Sequence, residues 1–179
     1  MEPAWLIKAR SYLGFREQPG NRGIEEFIAL AHTGSIGDPW CAIFVNGMLE
    51  ASGIRGTRSA MARSFEHDPN FVRLDKPVIG AIGTRWRNSP SSGQGHTGFY
   101  VGDQILGFGP TWLSGNESDQ VEIGPQPASQ VTGYWWPRSA PLPDGIPSME
   151  ESALHRFTGI TATVFGGAGD PNNSAYDEH

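Results

Sequence analysis

The periodicity of apolar residues changes once along this chain, and that change constrains the fold more than any other feature. Up to about residue 66 the apolar positions recur at helical spacing. Trp5, Ala9, Tyr12 and Leu13 fall on one face of a segment over 3–13, with Pro3 suited to its first turn and Gly14 ending it. Ile24, Phe27, Ile28 and Ala31 mark a second helix closing near Gly34. A third runs from Trp40 to Gly53, with Asp38 expected as N-cap, Pro39 as first residue, and Cys41, Phe44, Val45 and Met48 as its apolar face. A short fourth helix is expected over Ser59–Glu66.

Beyond residue 70 the pattern turns to strands. Phe71–Leu74, Gly80–Trp86, His96–Gly102, Gln120–Ile123 and Val131–Trp135 are the candidates. Gln104–Phe108 is expected to pair with His96–Gly102 through a tight turn at Gly102-Asp103. Helices first and strands second predict an α+β domain with a mostly antiparallel sheet of four to six strands. Twenty-four glycines and 14 prolines agree with a turn-rich globular chain.

Charge divides the chain in two. Residues 1–138 hold 12 Lys and Arg against 13 Asp and Glu, while residues 139–179 hold 1 against 6. The Pro-rich run Ser139–Pro147 reads as a linker, so the expected division is a domain over 1–138 and an acidic appendage over 139–179. Within the appendage Thr158–Phe165 is strand-like without a partner of its own, which suggests docking on a sheet edge or on another protein; a disordered terminus is the alternative. No basic stripe exists, so a nucleic-acid partner is not expected. No apolar run reaches the roughly 18 residues of a membrane span. The start, Met1-Glu2-Pro3-Ala4-Trp5, does not read as a secretory signal. The expectation is a chain made in the cytoplasm that relies on something else to reach any substrate outside it.

One cysteine, Cys41, excludes an intramolecular disulfide. A lone cysteine is commonly an inert buried residue. Here it falls in the first turn of a helix, where unpaired backbone N–H groups and the helix dipole favour a thiolate and can supply one arm of an oxyanion hole. A capping carboxylate at Asp38 would oppose that ionisation. Of five histidines, His155 and His179 lie in the tail, His32 reads as a helix end and His67 as a loop residue. His96 differs: it follows the small-residue loop Ser89–Gly95 and opens the strand Thr97–Gly102. A zinc site from Asp38, Cys41, His67 and His96 has no ligand spacing to recommend it, and Gly166–Gly169 lacks the lysine of a phosphate loop. Trp5, Trp40 and Trp135 fit periodic core patterns; Trp86 and Trp112 flank the motif loops and are candidates to line a groove.

Four segments carry a family resemblance. Pro39-Trp40-Cys41-Ala42-Ile43-Phe44-Val45 resembles the nucleophile helix of NlpC-type cell-wall hydrolases and their CHAP-like relatives. Trp86–Gly102 resembles the histidine segment of one subgroup, and Gly115–Val121 with Gly133–Pro137 resembles that subgroup's closing elements. The resemblance covers about residues 3–138. It implies a papain-like cysteine hydrolase that cleaves an amide of peptidoglycan without a cofactor. Cys41 would be nucleophile, His96 base, and Asn116 the residue orienting the imidazole, as a phage endolysin, tail-associated lysin or secreted effector. Phe108–Ser114 looks like extra length before Gly115-Asn116, and Glu117 stands where the subgroup has Gln, so Glu117 and Asp119 are substitutes and Asn116 also reads as a plain turn residue. The alternatives are a non-catalytic structural, tail-hub or wall-binding protein, or an acyltransferase, on the same fold. A delivery or phage-structural partner would dock through residues 139–179.

Overall fold

In a computed structural model, residues 1–103 and 109–143 are described. Three α-helices precede a six-stranded sheet: α1 Ala4–Arg10, α2 Glu25–Ala31 and α3 Cys41–Glu50, then β1 Phe71–Arg73, β2 Ile82–Trp86, β3 Gly95–Asp103, β4 Pro110–Glu117, β5 Gln120–Pro125 and β6 Val131–Pro137. The sheet order is β1-β6-β2-β3-β4-β5 and every pairing is antiparallel. The α+β expectation therefore stands. Among the described residues no helix is long and apolar enough to cross a membrane.

Helix α3 is the central element. Residues Cys41 to Leu49 are all buried, because α3 packs on α1 and α2 and on strands β3 and β4. Phe27 of α2 stacks on Trp40 at 5.7 Å and meets Phe44 edge-on at 5.2 Å. Burying aromatic side chains of this kind contributes roughly 1.5–3 kcal/mol each. Gly115 of β4 is the point of closest approach on the sheet side. A Cβ there would lie 2.6 Å from the Trp40 ring and 2.7 Å from Phe44 Cβ. The helix N-terminus is thus pressed against β4, close to the start of β3, and this fixes where Cys41 sits.

Several local expectations change. The fourth helix is a single 3-10 turn, Ser64–Glu66. The buried tryptophan of β6 is Trp136, packed edge-on against Trp5 at 5.0 Å, while Trp135 is half-buried with its Nε1–H donated to Thr84 Oγ1 at 2.9 Å. The partner of β3 is Pro110–Glu117, with Phe99 opposite Leu113 and Tyr100 opposite Trp112. Pro110–Ser114, within the segment expected as extra length before Gly115, is therefore part of a sheet strand. Gln104–Phe108, expected as that partner, lies outside the described residues. So do residues 144–179, including Thr158–Phe165.

The boundary after residue 138 is followed by chain that turns back on the domain. Trp136 Nε1–H donates to the Pro141 carbonyl at 3.1 Å, and Ala140 and Leu142 pack against the core. Residues 139–143 thus belong structurally with 1–138.

Candidate active site

Cys41 is the first residue of α3, and Trp40, not Asp38, holds the N-cap position. The expected cap is absent because Asp38 Oδ2 accepts from the Ser35 backbone N–H at 2.8 Å, closing the preceding turn on itself. The opposing carboxylate anticipated beside the thiol is therefore engaged elsewhere. Trp40 gives no side-chain cap, so the first-turn N–H groups carry no side-chain acceptor at that end.

His96, near the start of β3, is fully buried, with its ring parallel to that of Trp112 at 6.5 Å. Trp112 is fully buried as well. It extends over Gly83, where a Cβ would lie 2.3 Å from the indole. The groove-lining role considered for Trp112 is therefore replaced by a core role beneath His96. The Cys41 thiol and the His96 imidazole are near enough for each to shift the other's titration. A Glu117 Oε2 lies 2.7 Å from His96 Nε2, close enough for an ion pair although off the line of the ring N–H. With Nε2 facing that carboxylate, Nδ1 is left for the thiol. Arg87 reaches the same nitrogen, its Nη2 3.3 Å from Nδ1.

The carboxylate beside the imidazole is thus that of Glu117, while among the described residues no side-chain hydrogen bond joins Asn116 to His96. The reason is a bulge. Buried Trp112 and Ser114 alternate along β4, and simple alternation would place Asn116 on their side next. Pairing between β4 and β5 instead shifts register between Ser114 and Glu117, and Asn116 takes a left-handed backbone at φ 56°. A bulge of this kind re-aims the residue that follows it. Asp119, the other substitute, is exposed in the β4–β5 turn.

The titration behaviour follows from this arrangement. Burial pushes the Cys41 thiol up, but hydrogen bonding to His96, the charges of His96 and Arg87 and the Thr97 backbone N–H together bring it below its ordinary value. Burial pushes His96 down, yet Cys41 and Glu117 raise it overall. Burial likewise opposes ionisation of Glu117, but His96, Gln126 and Arg85 hold its carboxyl at about 2. All three directions favour a thiolate–imidazolium pair backed by a carboxylate.

Two arginines with no motif role support the site. Arg85 donates to Gln126 Oε1 at 2.7 Å and Gln130 Oε1 at 3.0 Å, beside Glu117. Arg63, paired with Glu66 at 2.8 Å, donates to the carbonyls of Pro90 at 2.9 Å and Ser92 at 3.2 Å. The loop before His96 is thereby tied down, and Ser92 Oγ–H also donates to the Arg87 carbonyl. Only the small residues of that loop gave a sequence signal; Arg63 gave none.

Cys41 opens on a cleft of about 330 Å³ between Pro39, the Ala60–Ala62 segment, Arg87 and Gly93–Gly95. Trp86, the other groove candidate, is not part of its lining. His32 and His67 are exposed, at the ends of α2 and of the 3-10 turn. Among the described residues no group of three or more His, Cys, Asp or Glu side chains is placed to hold a metal ion. No protein-family model, no curated protein and no solved structure matches this chain.

Proposed function

We propose that the chain is a papain-like cysteine hydrolase that cleaves an amide bond of bacterial peptidoglycan. The observation that carries the proposal is the placement of the buried His96 between the Cys41 thiol at a helix N-terminus and the Glu117 carboxylate, beside an open cleft. The choice of peptidoglycan rests on the resemblance of the Cys41 and His96 segments to NlpC-type hydrolases. Delivery by a phage or a secretion device belongs to the same reading.

In the proposed reaction Cys41 Sγ, its proton held by His96 Nδ1, attacks the amide carbonyl carbon. The first-turn N–H groups of α3 lie where they can stabilise the oxyanion. As the C–N bond breaks, His96 returns the proton to the leaving amine, and a thioester remains on Cys41. Water, deprotonated by His96, attacks that thioester; the C–S bond breaks and the acid product leaves with the thiol restored. Glu117 fixes the ring and stabilises its protonated form throughout.

Purified cell wall, with soluble peptides and new amine ends followed by mass spectrometry, tests this and names the bond cut. Cys41→Ser should fold as the parent does and lose hydrolysis by at least about a hundredfold, since the intermediate depends on the thiolate. Iodoacetamide should modify Cys41 and abolish activity. Full activity in the serine variant would overturn the mechanism. An unmodified chain that binds wall without cutting it would favour the structural, wall-binding alternative.

A further inference from the structure

Arg87 stands out within the cleft because the chemistry so far assigned does not account for its exposure. It follows β2 directly, in the loop leading to β3, and its backbone is fixed at both polar atoms. Its N–H donates to the Gln94 carbonyl at 3.0 Å, and its own carbonyl accepts from Ser92. The side chain is exposed, and among the described residues it is the sole charged side chain of the cleft lining, which is otherwise Cys41, Gln94, glycines and small or apolar residues such as Pro39, Ala60, Met61 and Ala62. The other cleft-side arginine, Arg63, is paired with Glu66, and Arg85 hydrogen-bonds glutamines beside Glu117. Among the described residues Arg87 has no carboxylate within ion-pair distance. Its one side-chain partner is His96 Nδ1 at 3.3 Å.

That partner is a poor match. A guanidinium offers only donors, and it faces the nitrogen that must also take the thiol proton. A planar fork of donors held open beside a nucleophile is matched instead by a carboxylate, which can accept two parallel N–H bonds. The apolar wall around Ala60–Ala62 suits a short aliphatic group next to that charge.

We propose that Arg87 is a specificity-determining residue that binds a free carboxylate of the substrate peptide next to the amide presented to Cys41. The proposal rests on the hydrolase reading for the identity of the ligand as a wall peptide, but the site itself is defined by the cleft and by Arg87. Engagement of the carboxylate draws the guanidinium off His96 Nδ1 and leaves that nitrogen to the thiol. A substrate lacking the carboxylate therefore binds less well.

The test uses wall stem peptides in which one carboxylate at a time is converted to the carboxamide. Binding is measured by calorimetry to Cys41→Ala, so that the readout does not depend on turnover. One conversion should weaken binding by at least about tenfold, as expected for loss of a charged, bidentate contact. The same conversion should make no difference in Cys41→Ala carrying Arg87→Met, and an intermediate difference with Arg87→Lys. Because Arg87 is exposed, the methionine variant should fold, which its melting curve checks. The proposal is overturned if no single conversion matters, if no peptide binds, or if the penalty persists unchanged in Arg87→Met. Peptides that bind in this Arg87-dependent way but are not cut by the unmodified chain would refute the hydrolase reading and leave the carboxylate site standing.

Discussion

Replacing Glu117 by glutamine removes one charge from the site and little else. Its carboxyl sits at about 2 against an ordinary 4.5, which corresponds to on the order of 3 kcal/mol favouring the carboxylate. Gln126 and Arg85 share in that figure with His96, so only part of it bears on the imidazole. A hydrogen bond to a charged group is worth about 1.5–3 kcal/mol and a neutral one about 0.5–1.5, so the amide should return roughly half. The remaining 1–2 kcal/mol or so is lost by the imidazolium, about one pH unit. His96, now raised by Cys41 and Glu117, should fall, and Cys41, now lowered largely by His96, should rise. The assay is the rate of iodoacetamide alkylation of Cys41 against pH. The acid limb in Glu117→Gln should lie about one unit higher than in the parent. Asn116→Ala should leave that limb in place. A limb that stays put in Glu117→Gln, in a variant shown to be folded, would refute the orienting role of Glu117. Movement in Asn116→Ala instead would restore Asn116 to it.

Other outcomes follow from the same contacts. Because Glu117 is held below its unfolded value, its contribution to stability is present above about pH 4.5 and is lost as pH falls toward about 2; the gap in urea midpoint between parent and Glu117→Gln should close over that window. Arg63→Ala releases the carbonyls of Pro90 and Ser92 and leaves the Glu66 carboxylate without its cation, so limited proteolysis should cut within 88–94 and the melting temperature should fall. Truncation after Arg138 removes the acceptor of Trp136 Nε1 and the packing of Ala140 and Leu142, and should cost about 1–2 kcal/mol in denaturant unfolding.

The sequence read best where one periodicity ran unbroken. α2 and α3 and the strands Phe71–Arg73, Ile82–Trp86 and Gly95–Asp103 all lie where apolar spacing placed them. It read poorly where a strand carries little alternation of its own. Pro110–Glu117 combines Gly115, Ser114 and Asn116 with one tryptophan, and it is a strand because β3 and β5 flank it on both sides. That information is tertiary and has no local signature. The same is true of the Asp38 cap. Asp38-Pro39 is a fair helix-start signal in isolation, but the Ser35 N–H lies within the same turn and takes the carboxylate first.

The third site residue shows why motif order and geometry can part company. In the pattern that Gly115–Val121 resembles, the polar residue at position 116 is read as the partner of the histidine. Along β4, however, the side of the sheet that a residue faces depends on every residue before it, and one added residue reverses all that follow. The register shift between Ser114 and Glu117 performs that reversal within three residues. Asn116 can occupy its centre because asparagine tolerates a left-handed backbone better than most residues, and φ there is 56°. Asn116 thus sits in the bend, and the Glu117 carboxylate lies 2.7 Å from the imidazole. A carboxylate in that place stabilises a protonated ring through its charge, which an amide cannot do. A carboxylate there thus favours a thiolate–imidazolium pair, and the pH profile of Cys41 reactivity is where that preference becomes measurable.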